Sequence, residues 1–120
     1  MKTTLFREKI LFEIGENAKE NWDIFQKNKE ENDKYIWFHL NSFPSGYVIM
    51  KTTMEELKNE YTCKELDNIF YYAAVLTREN SKYTFLKDLK IVYTTLKKLK
   101  KGTKEGEVII SGKRNTIKLS

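Results

Sequence analysis

The chain has 120 residues, 40% of them hydrophobic, and a formal net charge of +5 at pH 7. This length favours one domain spanning residues 1–120, with a core large enough to fold without disulfides or metals. The sequence has no long uncharged apolar run, and its one cysteine is Cys63. We therefore expect no secretory signal, no membrane span and no internal disulfide, and a cytoplasmic location.

The positive charge is concentrated towards the end of the chain. Residues 1–80 hold 11 Lys/Arg and 14 Asp/Glu, a net charge of −3. Residues 81–120 hold 11 Lys/Arg and 3 Asp/Glu, a net charge of +8. A basic segment of this kind is typical of a polyanion-binding protein, although a solvated lysine face that promotes solubility has the same composition. Charge alone does not distinguish an RNA partner from a DNA partner.

The first predicted elements are a strand and a helix. The apolar segment Ile10–Ile14 is typical of a strand. Asn17 is followed three residues later by Glu20, a pairing that caps a helix by satisfying the free amide groups of its first turn. A helix is therefore expected over residues 18–28, and a polar loop over residues 29–34.

A hairpin is predicted next. Residues 35–40 are rich in aromatic and branched side chains, which favours a strand. Its alternation produces two faces, one with Ile36, Phe38 and Leu40 and the other with Tyr35, Trp37 and His39. Pro44 and Gly46 favour a turn, since proline presets φ and glycine tolerates positive φ. A second strand over residues 47–51 completes the hairpin.

Two Thr-x-x-Glu capping boxes follow this hairpin. They lie at Thr53 and Glu56 and at Thr62 and Glu65, and the second begins a long amphipathic helix that ends near Asn80. Beyond it we expect a strand, a basic loop and a closing hairpin, over residues 88–95, 97–104 and 107–119. This order of elements indicates an α+β fold, a mixed and largely antiparallel sheet with two main helices packed on one face.

Catalytic and metal chemistry has little support in this sequence. One histidine and one cysteine are too few for a structural zinc site, and no phosphate-binding glycine loop is present. Cys63 and His39 are the formal candidates for a nucleophilic pair, but Cys63 lies at a predicted helix start without a motif around it. We therefore expect no enzyme activity, no metal and no cofactor.

Several separate segments carry motifs in a shared order along the chain. Residues 36–39 read Ile-Trp-Phe-His, and residues 44–49 read Pro-Ser-Gly-Tyr-Val-Ile. Upstream, residues 14–21 read Ile-Gly-Glu-Asn-Ala-Lys-Glu-Asn, and two closing strands follow at residues 106–109 and 116–119. Together these motifs resemble the NFACT-R domain, the RNA-binding module of NFACT ribosome quality-control factors. The resemblance extends over residues 10–119, and the standalone form of the domain is the closer comparison.

The resemblance implies a function and a set of partners. It implies a non-enzymatic domain that binds tRNA or ribosomal RNA in translation or ribosome quality control, with the large ribosomal subunit as a further candidate partner. DNA is also a candidate partner, on the ground of the lysine charge alone. Two positions depart from the family pattern. Tyr47 stands where the family usually has a second histidine, and Glu16 stands where it usually has Arg or Lys. The Glu16 carboxylate suits the positive end of a helix but would repel a phosphate there.

The predicted RNA contacts are of two kinds. A lysine cluster neutralises phosphates and releases counterions, which gives affinity with little sequence information. Aromatic side chains on adjacent strands stack on unpaired bases or hydrogen-bond to ribose hydroxyls. The predicted contacts are Asn17, Lys19, Asn21, Trp37, His39, Ser45, Gly46, Tyr47, Lys97, Lys98, Lys100, Lys101, Lys104, Lys113 and Arg114.

Alternatives to this interpretation remain open at the level of sequence. Trp37 and His39 also suit a structural role in the core. The domain as a whole also suits a protein-interaction module that docks on a ribosomal or other acidic partner. A third hypothesis is an RNA-processing enzyme that uses His39 as an acid or base.

Overall fold

The computed structural model describes residues 1–119. Within them the chain forms three α-helices, α1 (Ala18–Glu31), α2 (Met54–Glu60) and α3 (Cys63–Glu79). The strands of the described part are β1 (Lys2–Phe6), β2 (Ile10–Ile14), β3 (Ile36–Leu40), β4 (Val48–Met50), β5 (Leu89–Thr95), β6 (Leu99–Lys101), β7 (Val108–Ile110) and β8 (Asn115–Leu119). A short 3-10 helix, Leu96–Lys98, joins β5 to β6.

Six strands form one sheet in the order β1-β2-β4-β3-β5-β8, and β6 pairs with β7 in a separate two-stranded sheet. Each of these pairings is antiparallel. The predicted α+β class with a largely antiparallel sheet is therefore confirmed.

An apolar cluster packs on each face of the large sheet. On one face, Phe38 and Ile91 pack in a cluster with Ile69 of α3. On the other, Trp37 packs with Phe25 of α1 and with other apolar side chains. The prediction that the helices pack on one face of the sheet is wrong, since α1 and α3 lie on opposite faces. Strand β3 is apolar on both faces, and each face must be buried against another element.

Helix α1 is longer than the sequence predicted. Asn28, which favours a helix end by composition, is fully buried inside the helix instead. Its Nδ2 donates to Glu13 Oε1 (2.6 Å) and to the Ile24 carbonyl (2.8 Å), while Lys27 Nζ lies 2.7 Å from Glu13 Oε2. Burial raises the pKa of Glu13, but the hydrogen bonds from Lys27 and Asn28 outweigh it, so the pKa of Glu13 lies below its usual value.

The predicted helix caps differ in how fully they form. At Thr62 the reciprocal box is confirmed, since Oγ1 accepts from the Glu65 amide (3.2 Å) and Glu65 Oε1 accepts from the Thr62 amide (2.9 Å). Thr53 Oγ1 accepts from the Glu56 amide (3.2 Å), but the Glu56 carboxylate accepts from the hydroxyl of Thr52 instead. Asn17 Oδ1 accepts from the Glu20 amide (2.9 Å), which confirms the N-cap of α1.

The last part of the chain corrects two predictions. Residues 97–104 are not a loop throughout, because Leu99 is fully buried and begins strand β6. Strands β7 and β8 do not form a hairpin together: β7 pairs with β6, and β8 pairs with β5 at the edge of the large sheet. The reason is that Leu119 packs in the α3 cluster, whereas Val108 packs in the α1 cluster on the opposite face.

Candidate nucleic-acid interface

The motif residues form a close junction between the start of α1 and the turn that precedes β4. Asn21 Oδ1 accepts from the Tyr47 amide (2.9 Å), and the Tyr47 carbonyl accepts from the Gly15 amide (2.9 Å). A Cβ atom at Gly46 would lie 1.9 Å from the Gly15 carbonyl oxygen, and one at Gly15 would lie 2.2 Å from Asn21 Oδ1. Glycine is therefore required at position 46 by the close approach of the two segments, and at position 15 by the Asn21 side chain that accepts from Tyr47.

Tyr47 extends this junction to the loop between β6 and β7. Its ring is 1% exposed, and its hydroxyl donates a hydrogen bond to the Gly106 carbonyl. Burial, with a smaller contribution from Glu107, raises the pKa of Tyr47 well above its usual value, so the phenol stays a donor. Gly106 has a φ of +85°, and a Cβ atom there would lie 2.8 Å from the Cα of Ala18. The loop is thus held against α1.

Three aromatic rings pack together beside this junction. The ring centroids of Trp37 and His39 are 5.4 Å apart and their planes differ by 8°, while Tyr47 meets both rings edge-on at 5.4 Å. Trp37 is 2% exposed, and its Nε1 has no hydrogen-bond acceptor among residues 1–119. Burial lowers the pKa of His39, although backbone groups of Leu40 and Ser45 act in the opposite direction. His39 is therefore a neutral, half-buried imidazole near pH 7.

Two clefts meet at His39. The larger one has a volume of about 1010 Å³ and is also lined by five of the predicted contacts, Asn17, Asn21, Ser45, Gly46 and Lys104. The smaller one has a volume of about 330 Å³ and is lined in part by Trp37, Tyr47 and Arg114. His39 is thus the predicted site residue that borders both clefts.

The larger cleft is not electropositive. It is lined by three lysines and four glutamates: Lys2, Lys82, Lys104, Glu16, Glu79, Glu105 and Glu107. The sequence analysis did not predict that Lys2 and residues 80–83 line this cleft. Residues 80–83 form the loop after α3, and their sequence carries no motif that indicates a site. Phosphate groups are therefore better accommodated elsewhere on the domain.

The predicted lysines form a separate exposed surface around the β6–β7 sheet. Lys98 Nζ lies 3.5 Å from the Lys113 carbonyl oxygen, so the segment before β8 is adjacent to the 3-10 helix. Among residues 1–119, none of the predicted cations on this surface has a carboxylate oxygen within 4.0 Å. We call this surface the basic hairpin surface, and its members are Lys97, Lys98, Lys100, Lys101, Lys113 and Arg114.

Contacts with α1 hold the basic hairpin surface in place. Lys101 Nζ donates to Gln26 Oε1 (2.6 Å) and lies 4.8 Å from the centroid of the Trp22 ring. Trp22 Nε1 donates to the Glu107 carbonyl (2.9 Å). Because Leu96 and Leu99 are fully buried, the intervening lysines are oriented by two apolar anchors.

The family model of the NFACT protein RNA binding domain matches residues 4–116. The chain belongs to the NFACT RNA-binding domain family. The structure of the C-terminal part of the fibronectin/fibrinogen-binding protein from Streptococcus suis is similar, with a TM-score of 0.77 at 22% identity. That match covers 98% of this NFACT-R chain and 43% of the other chain, and it shows a shared fold. No curated protein matches the chain.

The structure of this NFACT-R domain separates its motif residues from its lysines. The motif residues lie at the junction and the two clefts, whereas most of the lysines predicted to contact RNA lie on the basic hairpin surface. Lys19 lies exposed on α1 and lines neither cleft at His39. Over residues 1–119, no helix has the length and apolar character needed to cross a membrane.

Proposed function

We propose that this NFACT-R domain binds structured RNA of the tRNA or ribosomal type through the basic hairpin surface, without catalysing a reaction. Its setting would be translation or ribosome quality control in the cytoplasm. Family membership supports RNA binding. The observation that carries the proposal is the group of neighbouring cations that lack carboxylate partners within the described residues. When such a surface neutralises phosphates, the cations condensed on the RNA backbone are released with a gain in entropy.

The burial of the aromatic motif favours recognition of RNA shape over base stacking. Trp37 is 2% exposed and Tyr47 is 1% exposed, so neither presents a ring face to a base in this structure. The burial of Trp37 supports the structural interpretation of this side chain. Of the predicted aromatic contacts, His39 keeps part of its surface accessible at the two clefts. Phosphate contacts, which position an RNA without reading its sequence, would therefore supply most of the affinity.

The first experiment measures binding by fluorescence anisotropy. Labelled tRNA, single-stranded RNA and duplex DNA are titrated between roughly 50 and 200 mM salt. If about four phosphates are neutralised, affinity falls on the order of a hundredfold over this range. We expect tRNA to bind most tightly. Equal and weak binding of all three ligands would contradict the proposal and favour a protein partner, which nuclease-treated pull-downs would detect.

Charge-reversal variants locate the binding surface. Changing Lys97, Lys98, Lys100 and Lys101 to glutamate is expected to abolish the salt-dependent part of tRNA binding. A matched control changes four exposed cations elsewhere, Arg7, Lys9, Lys58 and Lys64, to glutamate and alters the net charge equally. Similar losses in both variants would show that binding depends on overall charge and not on this surface.

The absence of catalysis is tested separately. Wild-type protein is incubated with the same RNAs, and the products are separated by size. We expect no cleavage, in keeping with membership of an RNA-binding domain family. Cleavage by the wild type that is lost in His39→Ala, with RNA binding intact, would contradict the proposal and support an RNA-processing enzyme.

A further inference from the structure

Part of the sheet face that carries His39 is basic and uncovered. In strands β5 and β8, Leu89, Ile91, Ile117 and Leu119 pack in the α3 cluster. Alternation therefore directs Lys90 and Lys118 to the opposite face, the side on which Val92 packs with Trp37. Both lysines are exposed. Neither α1 nor the β6–β7 sheet covers this end of the face.

The strand register aligns this face with His39. His39 is paired with Val92, and Val92 is paired with Thr116, so the three residues form one row across β3, β5 and β8. Lys90 is paired directly with Lys118 in the next row on the same face. With strands about 4.8 Å apart, Thr116 lies about 10 Å from His39 across the sheet.

The Lys90–Lys118 pair is unfavourable for the fold alone. Like charges directly opposite each other destabilise an antiparallel pair of strands. Asp88 Oδ1 lies 3.9 Å from Lys118 Nζ, but both side chains are more than 60% exposed and the ion pair is weak. For Lys90, no carboxylate oxygen lies within 4.0 Å among the described residues.

Protection of a sheet edge does not explain both lysines. A lysine on an edge strand hinders pairing with other molecules, and β8 is an edge strand, so Lys118 has this explanation. Strand β5 lies between β3 and β8 in the interior of the sheet. Lys90 therefore has no edge to protect. A negatively charged ligand that lies between the two ammonium groups would relieve their repulsion.

We propose that Lys90, Lys118 and Thr116 form a phosphate-binding site for the sugar–phosphate backbone of RNA. The inference rests on the proposed function and extends it to a surface beyond the basic hairpin. Arg114 immediately precedes β8, and the five residues from Arg114 to Lys118 span about 13 Å of extended chain. One RNA strand would follow β8 over this distance, with its bases on the side of His39 and the smaller cleft. The hydroxyl of Thr116, which lies between Arg114 and Lys118 in the sequence, would donate to a phosphate oxygen.

The test compares two double variants with equal charge. Lys90→Gln with Lys118→Gln removes the proposed site, and Lys58→Gln with Lys64→Gln is the control on α2 and α3, next to the opposite face. Binding of labelled tRNA and of single-stranded RNA is measured across roughly 50 to 200 mM salt. Loss of two phosphate contacts is expected to reduce the slope of log affinity against log salt by about two, and each single variant by about one. The control is expected to keep the wild-type slope.

The outcomes separate this inference from the proposed function. If Lys90→Gln/Lys118→Gln keeps the wild-type slope while the four-lysine hairpin variant loses binding, the second site is disproved and the proposed function stands. If the wild type itself shows no salt-dependent RNA binding, both fail. Lys90→Arg with Lys118→Arg preserves the charges and is expected to bind as the wild type does. Equal losses in the Gln and Arg variants would indicate a structural defect and overturn the proposed phosphate contact.

Discussion

The Tyr47 hydroxyl donates a hydrogen bond to the backbone carbonyl of Gly106, and this bond joins the turn before β4 to the loop of the β6–β7 sheet. The same loop is held at a second point, where Trp22 Nε1 donates to the Glu107 carbonyl. Tyr47 is bonded through its backbone to Asn21 and Gly15. Tyr47 and Trp22 together thus hold the loop of the basic hairpin surface in position relative to His39.

Replacing Tyr47 by phenylalanine tests this connection. Tyr47→Phe removes the donor to Gly106 and is expected to lower the free energy of unfolding by about 0.5–1.5 kcal/mol. Urea denaturation followed by circular dichroism measures the change. The control is Tyr71→Phe, at a side chain that is 50% exposed, which should leave stability nearly unchanged. Equal stability of the two variants would show that the bond to Gly106 contributes nothing.

Removing the buried indole of Trp37 should reduce the stability of the fold and should not remove a direct contact with RNA. Trp37→Ala leaves a cavity between β3 and α1, and it is expected to cost about 3–5 kcal/mol of stability. Circular dichroism should then show a largely unfolded or much less stable domain. A variant that keeps wild-type stability but no longer binds RNA would instead establish Trp37 as a direct contact.

A methyl group at Gly46 should be poorly tolerated. Gly46→Ala would place Cβ 1.9 Å from the Gly15 carbonyl oxygen, so the backbone of the junction has to move. Gly112→Ala is the comparison. Its φ of +86° makes alanine unfavourable by about 1–2 kcal/mol, but its nearest neighbour atom, Lys98 Cδ, is 3.9 Å away. We expect a larger loss of thermal stability for Gly46→Ala, and the reverse order would contradict the steric argument.

His39 makes the stability of the domain dependent on pH. Burial lowers its pKa in the folded state below the ordinary value of 6.5. Its contribution to stability is therefore complete above pH 6.5 and is lost as pH falls from there through the folded pKa. Glu13, whose pKa is also lowered, acts only below its ordinary value of 4.5. Unfolding measured between pH 7 and pH 5 should show a decline in the wild type that His39→Gln removes. A parallel decline in both proteins would exclude His39 as its cause.

The Lys90–Lys118 pair predicts opposite effects on folding and binding. Lys90→Glu replaces a like-charge pair by an ion pair across the strands, which is expected to stabilise the RNA-free domain by about 0.2–1 kcal/mol. The same change should weaken RNA binding, because it places a carboxylate next to the proposed phosphate position. Thermal unfolding and anisotropy measure the two effects. A variant that loses stability as well as binding would not support the repulsion argument.

Local signals in the sequence predicted several elements well. The strand Ile10–Ile14 has the predicted bounds, and the reciprocal cap at Thr62 begins α3 as expected. Strand β1 was missed, because its turn to β2 uses Arg7 and Glu8 with positive φ instead of asparagine or glycine. Asparagine and glycine are the usual sequence signal of a tight hairpin turn. Neither residue is present in the turn between β1 and β2.

The sequence predicted which residues belong to the candidate site but not how those residues are arranged in space. The lysines and the Trp-Phe-His motif were visible in the sequence, and the alternation of β3 correctly separated Phe38 from Trp37. The pairing of β8 with β5 was not predictable, because the choice between β5 and β7 depends on which buried cluster receives Leu119. This pairing is also what places Lys118 opposite Lys90.

The sequence by itself determined the class of fold, the family and the concentration of positive charge, since these depend on composition, local pattern and short motifs. Only the tertiary structure decided which aromatic side chains are buried and which cations are neighbours. Burial of Trp37 follows from α1 covering the face opposite α3, a long-range arrangement that no local pattern encodes. The physical reason is that each sheet face must bury its apolar side chains against another element. Which element covers which face depends on the packing of the whole chain.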